Sequence, residues 1–265
     1  MPMTEPNTVA ADVQYEERLV CFVDLLGFKS AIDASKTDTR VLNALHQALS
    51  ELSGERLVSL LHKGVPTLTG EGQLTTAEDA GATHIVQQHF PLVVTQFSDS
   101  LVLSCSADNK GSCLMLLQAI DRLQHIFFSH LGMLMRGGVS KGSLIHIQGG
   151  PLFGPAMNAA YALESQQAVY PRILFDQGAA VHMQNCWGED PSPIFTTSEG
   201  HHALDLVSSL IYRFRHDQQN WDTFEKKLTI VAKDIEANGP VALPKVRYLQ
   251  DRLKECLGID KRNQR

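Results

Sequence analysis

Two aspartates stand where the surrounding chain is apolar: Asp24 inside VCFVDLLGF, and Asp99 between VVTQF and LVLSC. An ionised carboxylate in an apolar strand is costly unless it is paired, hydrogen-bonded or bound to a cation. Two such groups brought together repel, and divalent ions relieve the repulsion. Hard ions such as Mg²⁺ or Mn²⁺ take carboxylate and backbone carbonyl oxygens along with phosphate oxygens. A pair of them polarises a hydroxyl nucleophile and stabilises charge on the phosphoryl group it attacks. The backbone of Leu25, Leu26, Gly27 and Phe28, turning into a helix at Gly27, offers amide donors for phosphate oxygens. The alternative for each aspartate taken alone is a turn cap.

The elements that must position these groups follow from periodicity. Residues 18–26 form an apolar run with one acid, a buried strand. Residues 30–61 carry an amphipathic stripe, read as a helix. The Gly-, Thr- and acid-rich stretch 62–89 reads as a loop or lid. Residues 91–97 and 101–107 are β-rich with only Ser98, Asp99 and Ser100 between them, which predicts a hairpin with Asp99 at its tip. A helix over 111–130, a long glycine-interrupted strand over 133–147, a helix over 155–168 with Pro155 in its first turn and a strand over 172–176 come next. After about residue 200 the pattern is helical. The order β-α-β-β-α-β-α-β fits an antiparallel sheet carrying helices on one face, an α+β fold of ferredoxin-like type. Residues 1–14 read as a flexible N-terminal tail, 15–198 as the catalytic domain and 199–265 as a C-terminal helical extension.

Composition limits the classes open to the chain. At 265 residues it can bury a sizeable core without disulfides. Its formal charge of −6 opposes non-specific nucleic-acid binding. The five cysteines include no C-x-x-C pair and read as reduced structural thiols. His125, His130, His146 and the pair His201 and His202 show no metal-ligand spacing. The start lacks the pattern of a signal peptide, and no apolar run is long enough to span a membrane. The expected location is the cytoplasm.

Four segments in order resemble the class III nucleotide cyclases. FVDLLGF is similar to that family's first metal strand, FSDSLVLS to its second metal hairpin, RGGVSKG (136–142) to the following strand, and GPLFGPAMNAAYALES (150–165) to the segment with its transition-state asparagine. The resemblance covers roughly residues 18–176 and implies a class III cyclase catalytic domain working as a homodimer, with active sites at the interface. Three positions depart from it. Thr95 and Pro151 stand where purine cyclases carry a base-reading Lys and Asp, and Ala162 stands where an Arg is expected, preceded by Tyr161. This combination resembles the pyrimidine cyclases of bacterial antiphage (Pycsar) defence. It implies conversion of UTP to 3′,5′-cyclic UMP and diphosphate, with Mn²⁺ (or Mg²⁺) as two ions per site and a separate effector reached through the cyclic product. The alternatives are a cytidylate cyclase making cyclic CMP, or a catalytically silent nucleotide-binding module.

On this reading Asp24, Asp99 and the Leu25 carbonyl hold the ions, while Asn158 orients ribose or phosphate. Charge on the α-phosphate is met by Lys141, Arg136 or Arg172 in place of the missing Arg. Thr95 and Tyr161 lie near the base. The alternatives are that Asn158 satisfies backbone groups, Lys141 is solvated, Arg136 is structural and Tyr161 is a core aromatic.

Overall fold

Val20, Phe22 and Asp24 alternate with Leu19, Cys21, Val23 and Leu25, so both faces of this run carry apolar side chains. A strand apolar on both faces belongs inside a sheet, and the computed structural model places it there. The structure describes residues 13–50, 52, 66–68, 74–76, 91–188, 192–214, 218–238 and 242–263. Strand β1 (Glu16–Leu26) pairs antiparallel with both β5 (Ser100–Ser106) and β6 (Leu134–His146). Strand β4 (Val93–Phe97) flanks β5. On the other side β6 is followed by β8 (Arg172–Phe175), β10 (His202–Asp205) and β9 (Phe195–Thr196). A short β7 (Leu152–Phe153) folds back on the end of β6. Within 62–89, β2 (Pro66–Leu68) and β3 (Leu74–Thr76) form a separate ribbon; the rest of the expected loop lies outside the described residues, as do residues 1–12 of the expected tail.

The architecture is α+β, with a mostly antiparallel sheet and helices packed on it. The odd-numbered residues of β1 from Leu19 to Leu25 face α1 (Phe28–Ser35), α2 (Thr39–Ser50), α3 (Lys110–Leu131) and α5 (Gln177–Trp187) across the main core. Each leucine or phenylalanine fully buried there contributes about 1.5–3 kcal/mol. The stripe expected as one helix over 30–61 is broken at 36–38. Asp38 caps a new helix by accepting the Arg40 amide at 2.9 Å. Beyond Ser50 only Leu52, which is buried, is described. Helix α5, which the periodicity did not suggest, starts on Asp176, whose carboxylate accepts the Ala179 amide at 2.6 Å.

Helices occupy both faces, not one. Strands β6 and β8 run parallel, a step that needs a crossover, and α4 (Pro155–Gln166) supplies it on the second face. Ala156 and Ala160 of α4 meet Val20, Phe22, Val102 and Leu144 there. Gly138 permits the approach, since a Cβ at that position would lie 2.3 Å from the Ala160 carbonyl oxygen.

The stretch after residue 200 does not begin as helix. Strand β10 lies beyond the expected 198/199 division and extends the sheet beside β8. Helices α6 (Leu206–Phe214), α7 (Gln218–Asn238) and α8 (Leu243–Asn263) follow. They bury Val207, Leu210, Trp221, Phe224, Leu228, Val246, Leu249 and Leu253 against Phe128 and Leu134, forming a second core. No helix among the described residues is long and apolar enough to cross a membrane.

Candidate active site

Asp24 ends the ladder between β1 and β5, opposite Ser100 on one side and Arg136 of β6 on the other. The next residue, Leu25, donates its amide to the Asp99 carbonyl at 2.9 Å. The two aspartates thus stand at the same end of neighbouring strands. In an antiparallel strand the N–H and C=O of one residue point the same way, so the Leu25 carbonyl also faces the Asp99 turn. Ser98 and Asp99 form the two-residue hairpin loop. Ser98 adopts φ 53°, a positive value that tight hairpin loops demand and that usually selects glycine or asparagine. Asp99 is half-buried in the turn, where strand alternation no longer sets the direction of its side chain.

Around Asp24 the structure assembles groups that the sequence reading did not join. The Arg136 guanidinium donates from Nε to Asp24 Oδ2 at 3.1 Å. The same nitrogen lies 2.7 Å from Oε1 of Glu164, a side chain of α4 only 4% exposed, although the angle makes this an ion pair and not a hydrogen bond. Burial pushes the Glu164 carboxyl above its ordinary range, Arg136 opposes that, and the charge of Asp24 adds to it. Lys245 on α8 belongs to the same field. Burial and then Arg136 lower its pKa, while Asp24 and Glu164 act the other way. Glu164 lies within the quoted segment 150–165 as an acid in a helix of small and apolar residues, a signal that could have marked it. Lys245 carried no signal, because only the packing of α8 brings it here.

The donor set suits a hard divalent ion. Asp24 and Asp99 would provide carboxylate oxygens and Leu25 a carbonyl, the ligands such ions prefer. The Asp24 side chain keeps 21% exposure beside its arginine, and one carboxylate accepts several partners. At the following turn Gly27 takes φ 94° and starts α1 without a side-chain cap, so the first amides of the helix are not used by a capping side chain. Phe28 is buried in the main core and Leu26 packs on the second core. The side chain of Phe28 is thus withdrawn from a ligand, whereas the partly buried Leu26 lines the adjoining cavity. A cavity of about 350 Å³ adjoins the turn, between α1 and the C-terminal helices, lined among others by Gly27, Ser30, Asp234 and Lys245.

Among the described residues none of the other sequence candidates has a hydrogen bond or ion pair with Asp24. Lys141 is five positions from Arg136 along β6, about 17 Å at about 3.4 Å per residue, and its Nζ is 2.7 Å from Glu17. Arg172 is buried, donates to Glu199 at 3.1 Å and lies beside the rings of Tyr170 and Tyr248. Asn158 and Tyr161 are exposed on α4, where Tyr161 meets Phe22 edge-on with ring centroids 5.2 Å apart. Tyr161 is not a core aromatic.

Thr95 is tied into a polar network on the second face of the sheet. Its hydroxyl is 2.8 Å from His146 Nε2, His146 Nδ1 is 2.8 Å from the Ser104 hydroxyl, and Arg18 Nε donates to Ser104 at 3.0 Å. Burial, with a smaller push from Arg18, lowers the His146 pKa to about 4 from an ordinary 6.5. Between these values the unfolded chain binds a proton that the folded protein refuses. Stability therefore falls as pH drops from about 6.5 towards 4 and is fully present above that window. His146→Gln removes this component, so the urea midpoint of the variant changes less between pH 7 and pH 4.5 than that of the parent. An equal change in both proteins excludes His146 as the source.

No family model and no curated protein matches the sequence. Among solved structures, the adenylyl cyclase CyaB from P. aeruginosa superimposes with a TM-score of 0.44 at 11% identity, over 72% of this chain and 93% of that one. A bacterial light-regulated adenylyl cyclase gives 0.43 at 16% identity, over 76% and 95%. The catalytic core of a rhodopsin-guanylyl cyclase with converted specificity gives 0.42 at 12% identity, over 72% and 94%. These are partial likenesses of arrangement, and no function is taken from them.

Proposed function

We propose that this chain is a nucleotide cyclase that converts UTP to 3′,5′-cyclic UMP and diphosphate, with CTP as the second-choice substrate. The observation that carries the reading is the Leu25–Asp99 backbone bond, which joins the ends of the two aspartate-bearing strands. In the reaction the ribose 3′-oxygen attacks the α-phosphorus, the bond to the β-phosphate oxygen breaks, and diphosphate leaves. Two hard divalent ions, held by Asp24, Asp99 and the Leu25 carbonyl, would acidify the 3′-hydroxyl and neutralise phosphate charge. Arg136 orients the Asp24 carboxylate through its Nε and is itself steadied by Glu164. The amides at the start of α1 take phosphate oxygens. Phosphoryl transfer depends on positioning and electrostatics more than on covalent chemistry, so cations other than an arginine at position 162 suffice for the α-phosphate.

Asn158, Tyr161 and Lys141 serve the active site of a second copy. The distance of Lys141 from Asp24 in its own chain and the exposure of Asn158 favour this, as do the exposed apolar side chains Phe97, Ile147, Phe153 and Tyr161. Thr95, held by a neutral His146, offers a hydroxyl and no cation to a base, which suits a small pyrimidine edge. The cyclic product acts as a messenger for a separate effector in antiphage defence.

Incubating the full chain with each nucleoside triphosphate and Mn²⁺ tests the proposal. Cyclic UMP is the expected main product, with less cyclic CMP. Absence of any cyclic monophosphate defeats the cyclase reading, and purine products alone defeat the pyrimidine assignment. The Arg136–Asp24 ion pair favours a second reading, a silent nucleotide-binding module in which the guanidinium takes the cation's place. That reading expects nucleotide binding without turnover.

A further inference from the structure

On the face of the sheet away from Asp24, three ligand atoms of the kind soft metals prefer converge between two helices. Cys113 near the start of α3, and His182 and Cys186 on α5, bring Sγ, a ring nitrogen and Sγ within 4.8 Å of one another. Among the described residues this is the one group of three or more Cys, His, Asp or Glu ligand atoms gathered so closely. His182 and Cys186 are four residues apart, so they share one face of α5. Cys113 Sγ lies 3.6 Å from His182 Nε2. A tetrahedral Zn²⁺ with Zn–S of about 2.3 Å and Zn–N of about 2.05 Å separates those two ligands by about 3.6 Å. Cys113 and Cys186 are buried and His182 is half-buried, which leaves an approach from solvent. The Cys105 thiol adjoins Cys113 from within the core.

We propose that Cys113, His182 and Cys186 form a site for a borderline-soft divalent cation, Zn²⁺ in particular, pinning α5 to α3 and the end of β5. Cysteine and imidazole ligands select Zn²⁺ over the hard ions that suit Asp24 and Asp99, so the two metal sites are chemically distinct. The Cys113 thiol lies 3.6 and 3.7 Å from the Ser106 and Ala107 carbonyls, which it can serve as a donor. On binding, the two thiols release two protons, the imidazole stays neutral, and the ion takes two thiolates and one nitrogen. Its fourth position is open to water. Oxidation state does not change, and no further reactant is needed.

Co²⁺ serves as the probe, because tetrahedral thiolate coordination gives visible ligand-field bands together with sulfur-to-metal charge transfer. The reduced, chelator-treated full chain is titrated with Co²⁺ and then with Zn²⁺. One equivalent of Co²⁺ develops both bands, and one equivalent of Zn²⁺ abolishes them. Asp24→Ala leaves the titration unchanged, which separates this site from the proposed cyclase centre. His182→Ala and Cys186→Ser weaken binding by more than about 100-fold, above the loss expected from disturbing an outer-shell partner. Circular dichroism checks that each variant is folded, and if Cys186→Ser is not, the half-exposed His182 position decides. Absence of thiolate charge transfer in the parent chain overturns the proposal. So does a titration that folded His182→Ala leaves unaltered.

Discussion

On the proposed cyclase reading, Asp24→Ala is expected to abolish cyclic nucleotide formation, with kcat/KM falling by at least about 10³-fold while the protein stays folded. The magnitude follows from the role. Metal-assisted polarisation supplies several kcal/mol to such a transition state, and about 4 kcal/mol corresponds to about 10³ in rate. The fold survives because Arg136 keeps Glu164 at 2.7 Å once its other partner has gone. Asp99→Ala behaves alike, since its carboxylate belongs to the same proposed ion pair while its backbone carbonyl still receives the Leu25 amide. Product formation is read by chromatography over a range of Mn²⁺ concentrations. Partial recovery of Asp24→Asn at high Mn²⁺ points to weakened ion binding. Undiminished turnover in Asp24→Ala removes the two-aspartate mechanism, whatever the substrate.

The largest effect on stability belongs to Asp205, where the last sheet strand meets the C-terminal helices. Its side chain is 0% exposed. One carboxylate oxygen accepts the Ser208 amide at 2.7 Å, and the other accepts Tyr248 Oη and Arg252 Nε, each at 3.1 Å. The Asp205 amide in turn donates to the Ser208 hydroxyl at 3.0 Å, a reciprocal cap at the start of α6. Asp205→Ala leaves Arg252 without its buried counter-charge and costs about 3–5 kcal/mol. Arg252 keeps 20% exposure, which places the value near the lower end. The urea midpoint measures it. Arg252→Met combined with Asp205→Ala should cost less than the sum of the two single changes, because the arginine charge, whose remaining counter-charge is the exposed Glu255 at 3.2 Å, is then absent. A loss below about 1 kcal/mol in Asp205→Ala means that the helices are held by their apolar contacts alone.

Local chemistry explains what could be read without coordinates. A run such as RLVCFVDLL has few ways to bury itself other than as a central strand, and the gap of Ser98 and Asp99 leaves room only for a tight hairpin. Period and turn length are properties of neighbouring residues, so they survive in one dimension. Helix α5 escaped because QGAAVHMQNCW is weakly patterned, and its start depends on one side-chain cap at Asp176. The break between α1 and α2 escaped because the apolar stripe runs past it, whereas the cap at Asp38 decides the local geometry.

The candidate site divides along the same line. Asp24 and Asp99 could be singled out as candidates because an acid flanked by apolar strand residues is conspicuous by the desolvation cost it would carry there. Lys141 and Arg136 are close in sequence, yet five strand positions set one beside Glu17 and the other beside Asp24. Glu164 and Lys245 enter the field of that same aspartate from α4 and α8. The Cys113, His182 and Cys186 cluster spans two helices nearly seventy residues apart along the chain, so no spacing rule could announce it.

The amino-acid order by itself determined the central strands, the hairpin at Asp99 and most of the helices, though not α5, β10 or the break at 36–38. Only the tertiary structure decided which cations and thiols share a neighbourhood, and that the C-terminal helices reach the Asp24 region. The reason is physical. Secondary structure answers to interactions within a few residues, whereas charge pairing and metal ligation depend on distances of a few ångströms between segments that meet only when the cores pack.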